Sequence, residues 1–440
     1  MRYAVAGMGR SGIAIAEAVL AMGDHAVVFD EKAAEDPERI ATVEQLESKG
    51  IEVVTGWHGH FEAGEFDALV ASPGFRRNHP AILDAQMFGM EVLSEVEFAY
   101  RISKAPIVAI TGTNGKSTTT VMTWLALRGL GIDAVLCGNI SGTGYPELTL
   151  TEAAHASTPG QVLVAEISSF QLEWVSTFRP RVATVTKVTP DHFDRHPDFQ
   201  DYLDTKLRIF AGQQADDYAV LPSPLVMTTG LPGGDYPESY ALDRVHARVV
   251  RYEQDDRLNY DEPHNRINAA CAIAIAECLA QDRGIESARE KAIQGLTEFK
   301  PLQFRMQVLG EKDGVLVVNN SMCTNPDAVI TSSKGLPRRQ VLIMGGITKN
   351  LDFRPVGAHL RDSAHQVILF GPDPAEMRGM LGINAPYVES LQEAFDHAVA
   401  SAQSGDAVIL APGCASAYPY ANFRERGLAF EEIAKDWLRR

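Results

Sequence analysis

Residues 107–118 read Ile-Val-Ala-Ile-Thr-Gly112-Thr113-Asn114-Gly115-Lys116-Ser117-Thr118. An apolar run, a turn with two glycines, then a lysine and hydroxyls is an order that cradles phosphates. Backbone N–H groups and a helix N-terminus point at the anion. Lys116 would reach the terminal phosphates of a nucleotide, and the Ser117 or Thr118 hydroxyl would ligate Mg²⁺. The common pattern, GxxxxGK[ST], has a glycine where this chain has Ile110. The bland alternative is a tight strand-to-helix turn with an incidental lysine. Gly-Lys-Ser-Thr after a buried strand argues against it.

A second glycine turn, Gly7-Met-Gly9-Arg10-Ser11-Gly12, follows the first apolar run, and Asp30 ends the next, 18 residues after Gly12. Alone this is a dinucleotide fingerprint. It fits NAD in hydride transfer, another diphosphate such as a nucleotide sugar, or glycines needed only for close packing. The phosphate loop downstream weighs against plain NAD chemistry and toward a kinase or ligase with a second nucleotide-like ligand.

Acids and imidazoles gather in the centre. Glu166 ends the apolar run Val162–Glu166, where it could hold a metal ion on nucleotide phosphates. Thr189-Pro-Asp191-His192-Phe-Asp194-Arg195-His196 is dense enough for Mg²⁺ phosphate chemistry or a zinc site, and equally fits a solvated loop. Lys206 lies in a helical pattern, where a surface lysine is the default. Asn265 and Asn268 are three apart at the start of a helix read over 269–279, so they share a face. They could meet a base or ribose, or cap the helix.

Buried strands must position these groups. Candidates are 3–6, 26–29, 68–71, 107–111, 162–166, 182–186, 315–318, 341–344, 367–370 and 407–410. Such runs are apolar on both faces and alternate with helical patterns, so the fold class is α/β with parallel sheets. Residues 222–262 have weak periodicity and read as irregular structure or short strands. The 440 residues suggest about three domains, divided as 1–104, 105–300 and 301–440. The first is Rossmann-like, the second a phosphate-loop nucleotide-binding domain, the third again Rossmann-like.

Acidic residues outnumber basic ones by 57 to 40, for a net charge of -17. That disfavours duplex nucleic acid and anionic membranes as partners. Cys137, Cys271, Cys278, Cys323 and Cys414 are odd in number, widely spaced and without CxxC, so buried free thiols are expected. No secretory leader and no 18-residue apolar span is read. The expected place of work is the cytoplasm.

In this order the motifs resemble the Mur ligase family, ATP-dependent amide-bond ligases of peptidoglycan precursor synthesis and hence of cell-wall biogenesis, cell shape and division. The resemblance covers essentially the whole chain and is greatest to the D-glutamate-adding members. It rests on Gly112-Thr-Asn-Gly-Lys-Ser-Thr, Glu166-Ile-Ser-Ser-Phe-Gln-Leu-Glu, Asp191-His-Phe-Asp-Arg-His-Pro, Lys206-Leu-Arg-Ile and His264-Asn-Arg-Ile-Asn. It implies that Lys116 and Ser117 hold ATP phosphates and Mg²⁺, that Glu166 ligates Mg²⁺, and that His192 sits beside the reacting carboxylate and a second Mg²⁺. It implies a carbamylated Lys206 that ligates metal, and ATP contacts from Asn265, Asn268 and Arg305. Arg10, Ser11, Ser72, Pro73, Gly74 and Asn139 match the cradle for a UDP-sugar. Thr324, Lys349, Ser416 and Phe423 match the glutamate side. The implied substrates are UDP-N-acetylmuramoyl-L-alanine, glutamate and ATP, with an acyl-phosphate intermediate, a monomeric enzyme, and closure hinged near residues 104 and 300.

The chain also departs from that pattern. Asn320-Ser-Met322 stands where Asp-Ser-Lys is usual, Lys187 and Pro190 where Asn and Glu are more frequent, and Glu262 in place of a glycine.

Overall fold

The computed structural model describes residues 1–229, 234–258, 260, 263–361, 365–372, 374–417 and 419–440; Glu262 lies outside them. Its strands in chain order are β1 (Arg2–Ala6), β2 (His25–Asp30), β3 (Glu52–Thr55), β4 (Ala68–Ala71), β5 (Glu91–Ser94), β6 (Ile107–Thr111), β7 (Ala134–Gly138), β8 (Val162–Glu166), β9 (Val182–Val185), β10 (Tyr218–Pro222) and β11 (Arg248–Tyr252). They continue with β12 (Gln307–Lys312), β13 (Val315–Asn319), β14 (Gln340–Gly345), β15 (Gln366–Phe370), β16 (Tyr387–Val388) and β17 (Ala407–Leu410).

They form three sheets, ordered β3-β2-β1-β4-β5, β11-β10-β9-β6-β8-β7 and β12-β13-β17-β14-β15-β16. The first two are parallel throughout. The fold is a three-layered α/β arrangement used three times, as the apolar runs predict. The third sheet corrects one expectation. Its edge strand β12 runs antiparallel to β13, with a bulge between Val308 and Gly310. A hairpin edge, Gln307–Lys312, is half exposed and carries Gln, Glu and Lys, so it lacks the apolar run that marks a buried strand.

Strand order sets where a ligand can sit. In the first sheet the strand order reverses between β1 and β4, and in the second at β6, between its neighbours β8 and β9. Crevices open at the carboxyl ends of strands at such points. The Gly7 turn and Ser72 leave β1 and β4; the phosphate loop leaves β6; Glu166 ends β8.

Caps fix the helices that face these crevices. Asn325 caps the helix Pro326–Gly335 by accepting from the Ala328 N–H at 2.9 Å. Asn422 caps Phe423–Arg439 by accepting from the Glu425 N–H at 3.0 Å. These caps start two helices of the third sheet at the cleft described below. The helix Glu95–Ile102 is a joint between the first two sheets. Its Ser94 cap accepts from Glu97 N–H, and Glu95 and Glu97 are both buried with partners in the second unit. All five cysteines are buried free thiols. Among the described residues no helix is long and apolar enough to cross a membrane.

Candidate active site

The β6 strand runs through a short turn into the helix Lys116–Gly129. The turn between them requires its glycines. Gly115 has φ +86° at the N-cap; Gly112 has φ +143°, and a Cβ there would stand 2.0 Å from Thr186 Oγ1. The loop is pinned from β9: the Thr113 N–H donates to Lys187 O at 2.7 Å and the Thr113 hydroxyl to Thr189 O at 2.9 Å.

A cleft of about 420 Å³ opens over this loop. Asn114, Lys116, Ser117 and Thr118 line it from below, and Asn139, Glu166 and His192 from the ends of neighbouring elements. Asn268 enters from a helix, and Arg305, Thr324 and Phe423 come from the third unit. Residues read separately along the chain thus share one cavity. Lys116 donates from Nζ to Thr113 O at 2.9 Å. Burial lowers its ammonium pKa, against Glu166 and Asp191, which raise it. The Arg305 guanidinium, like Lys116, is partly buried. It is lowered by burial with Glu166 opposing, its Nε has no partner, and Nη2 is 3.4 Å from Ser117 Oγ. Two partly buried cations converge on the helix N-terminus, an arrangement for polyanionic phosphate.

The metal-side donors fit Mg²⁺. Glu166 is 3% exposed; Oε1 accepts from Asn139 Nδ2 at 3.3 Å, while Oε2 is buried with no hydrogen-bond partner. A buried carboxylate oxygen without a donor costs stability unless something cationic meets it. His192 has φ +58° and an imidazole against the edge of Phe170. Burial drives its pKa down to about 4; Asp191 opposes, and Lys349, Lys206 and Lys116 reinforce. The ring is therefore neutral at pH 7 and keeps a lone pair. Among the described residues no three His, Cys, Asp or Glu side chains form a metal cage. That arrangement does not suit the zinc alternative. A cation that keeps waters and phosphate oxygens as ligands needs only isolated donors.

Lys206 corrects its default reading: it is 2% exposed, not a surface lysine. Its Nζ donates to Gly112 O at 2.8 Å and lies 4.6 Å from the centre of the Tyr202 ring. Burial, reinforced by Lys116, pushes its pKa well below the usual lysine range. The Asn residues also need correction. The helix starts at Pro263, so Asn265 and Asn268 lie within its first turns and neither caps it. Asn268 lines the cleft and accepts from Thr119 Oγ1 at 3.2 Å; Asn265 is outside the lining.

Other predicted residues lie around the cleft. Lys349, at φ +56°, is ion-paired with Asp191 across the second and third units. Ser416 is outside the lining, with its hydroxyl buried and unpartnered. At the β1–β4 crevice, Ser72 Oγ is likewise buried without a partner, facing the Gly7 turn. Ser11 donates to Glu95 at 2.7 Å, and Arg10 donates to Glu147 O. Pro73 O and Gly74 O accept from Arg195 Nη1 at 2.8 and 3.4 Å. Asp30 does not present a free carboxylate to a ribose, as NAD binding would need. It accepts from the Met8 and Lys32 N–H groups and pairs with Arg39. The positions that depart from the family pattern are filled: Asn320 Oδ1 accepts from Met306 N–H at 3.2 Å, and Met322 Sδ lies 3.3 Å from Arg305 Nη2.

Sequence reasoning missed Asp191, Asn325, Asp327 and Arg195 as site residues. Asp191 and Arg195 stood in the acid-and-imidazole run. Asp327 had only the signal of a first-turn acid after Asn-Pro, which any helix start can carry.

The sequence matches the descriptions "Mur ligase MurD-like, N-terminal domain" over residues 1–94, "Mur ligase middle domain" over 110–227 and "Mur ligase, glutamate ligase domain" over 304–414. A UDP-N-acetylmuramoylalanine–D-glutamate ligase of Caldanaerobacter subterraneus subsp. tengcongensis is 34% identical, over 100% of this chain and 99% of the relative. The enzyme of the same name from Pelotomaculum thermopropionicum is 34% identical over 98% and 96%. Among solved structures, the MurF ligase from Thermotoga maritima in complex with ADP superposes with a TM-score of 0.58 at 16% identity, covering 94% of this chain and 96% of that one. With three matching segments in order and relatives aligned end to end, the chain belongs to the Mur ligase family.

Proposed function

We propose that the chain is an ATP-dependent, ADP-forming ligase that joins D-glutamate to UDP-N-acetylmuramoyl-L-alanine through an acyl phosphate. It would act as a monomer in the cytoplasm. Residues 1–104 would bind the UDP-sugar, 105–300 ATP and 301–440 the amino acid. The observation that carries this reading is the unpartnered Glu166 oxygen. It lies in the same cleft as the phosphate loop and as Thr324 and Phe423 of the third unit. Phosphoryl transfer and amide formation need these three components within reach of one another.

Lys116 and Arg305 bind the terminal phosphates and stabilise charge on the phosphoryl group as it moves to the substrate carboxylate. Ser117, Glu166, His192 and Lys206 would hold Mg²⁺, which supplies charge neutralisation at the phosphates. Burial disfavours the charged form of Lys206 and so favours the free amine, which can take up CO₂ as a carbamate and become an anionic ligand. Thr324 and Lys349, with Ser416 and Phe423, would hold the glutamate carboxylates and aim its amine at the acyl carbon. Ser72 and the Gly7 turn would take the diphosphate of the UDP-sugar. The third unit excludes water from the acyl phosphate.

The test is phosphate release from ATP by the purified protein with UDP-N-acetylmuramoyl-L-alanine and either isomer of glutamate. Release that requires the D-isomer is the expected result. Release with the L-isomer alone would move the protein to a stereochemically different branch, and silence with both would remove glutamate as the acceptor and turn the test to other amino acids.

A further inference from the structure

Lys187 is not needed for the chemistry above, yet its side chain lines the cleft. Its backbone is fixed to the phosphate loop through the Thr113 N–H. Its Nζ is 2.7 Å from Asp327 Oδ1, on the third unit. The other oxygen of Asp327 accepts from Asn114 Nδ2 of the phosphate loop, also at 2.7 Å. Asp327 is the second residue of the helix Pro326–Gly335. The cap of that helix, Asn325, donates to Asp191 Oδ2 at 3.1 Å and to Asn114 Oδ1 at 3.3 Å. One helix N-terminus of the third unit is thus gripped by the phosphate loop, the strand-end lysine and the His192 loop together.

We infer that Lys187, with Asn114, forms a clasp on Asp327 that holds the third unit shut over the phosphate loop, and that Lys187 is a positioning residue for the second half-reaction. Lys116 and Lys187 differ in partner. Lys116 Nζ donates to a carbonyl and stays available to phosphate. Lys187 is committed to a carboxylate that is itself held by Asn114. The pair is partly buried, with side-chain exposures of 33% and 22%. It is therefore screened less than an open surface pair. The two sides of the clasp belong to separate sheets joined by the short segment between Leu296 and Gln307, so breaking it weakens closure of the cleft without unfolding either sheet. An open cleft admits water to the acyl phosphate: water adds to the phosphoryl or acyl centre, phosphate leaves, and the carboxylate is regenerated without an amide bond. The clasp therefore governs coupling between ATP use and product.

This inference rests on the ligase reading, and its test separates the two. Phosphate and amide product would be measured for the wild type, Lys187→Met, Asp327→Asn, the double variant and Lys187→Arg, each with ATP and glutamate varied. Each neutralising variant should raise the glutamate KM about tenfold and lower the amide formed per phosphate, leaving the ATP KM unchanged. The double variant should be no worse than either single one, and Lys187→Arg should retain most of the coupling. A raised ATP KM in Lys187→Met that Asp327→Asn does not share would overturn the clasp and make Lys187 a phosphate ligand. Multiplying effects in the double variant would overturn it as well. Small-angle scattering of the same proteins reads closure without catalysis. Lys187→Met and Asp327→Asn should both be more expanded than the wild type, and equal radii of gyration would refute the clasp. A wild type that forms no amide would instead refute the ligase reading, leaving scattering to judge the clasp.

Discussion

Changing Glu97 to glutamine should loosen the joint between the first and second sheets. The carboxylate is fully buried and sits in a nest of donors. The N–H groups of Ser176, Thr177 and Phe178 reach it at 2.9, 3.0 and 3.0 Å, the Thr177 hydroxyl at 2.5 Å, and Arg101 Nε at 2.9 Å. Glutamine keeps the shape but offers one neutral oxygen and turns an NH₂ group toward N–H donors. Hydrogen bonds to a charged group contribute about 1.5–3 kcal/mol each, so losing the equivalent of two costs about 3–6 kcal/mol at pH 7. At about 2–4 °C per kcal/mol for a unit of about 200 residues, such as the second one that supplies the donors, its thermal transition should fall by roughly 6–24 °C. The pH dependence follows from the same contacts. Burial raises the Glu97 pKa, but the donors, Thr177 and Ser176 foremost, outweigh it and leave the pKa below the ordinary 4.5. A folded pKa below the unfolded one gives stability that is present above the unfolded pKa and lost as pH falls through the folded one. The gap between wild type and variant should therefore be full at pH 7 and narrow below about pH 4. Differential scanning calorimetry from pH 7 to about pH 3 checks this. Equal melting temperatures at pH 7, or a gap that does not change with pH, would refute the reasoning.

Other substitutions probe the cleft. Lys116→Met should cut phosphate release at least about 100-fold with an unchanged melting temperature, read by a phosphate assay beside circular dichroism. Glu166→Gln should raise the Mg²⁺ concentration for half-maximal rate about tenfold or more, because the oxygen left without a donor becomes an amide; an unchanged Mg²⁺ titration would remove Glu166 from the metal site. Gly112→Ala should weaken ADP binding, measured by calorimetry, since its Cβ would meet Thr186 Oγ1 at 2.0 Å at φ +143°. Arg195→Ala frees the Pro73 and Gly74 carbonyls and should raise the KM for the UDP-sugar while leaving that for ATP alone.

The sequence was most legible where burial is two-sided. The runs that became β4, β6, β8 and β17 coincide with their predicted bounds because every residue in them is apolar or sits at a strand end. The edge strand β3 escapes a reading by apolar runs because a half-exposed edge needs none; β11, mostly exposed, falls in the stretch 222–262 read as irregular structure or short strands; β10 was missed although it is buried throughout. The phosphate loop was readable because its glycines are forced by φ and close approach. The burial of Lys206 was not, because its helix has the same local pattern whether that face meets solvent or Gly112 O. The Asp191–Lys349 and Lys187–Asp327 pairs join residues more than a hundred positions apart, and no local spacing encodes them.

The central claim is that a substrate carboxylate is activated by the γ-phosphoryl group in this cleft. The direct measurement starts from UDP-N-acetylmuramoyl-L-alanine carrying ¹⁸O in its free carboxylate, with ATP and D-glutamate, and follows the label by mass spectrometry. Attack of the carboxylate on the γ-phosphorus, followed by displacement by the amine, leaves one labelled oxygen in each phosphate released with an amide bond. Phosphate carrying that single label is the predicted result. Amide formation with unlabelled phosphate would contradict it.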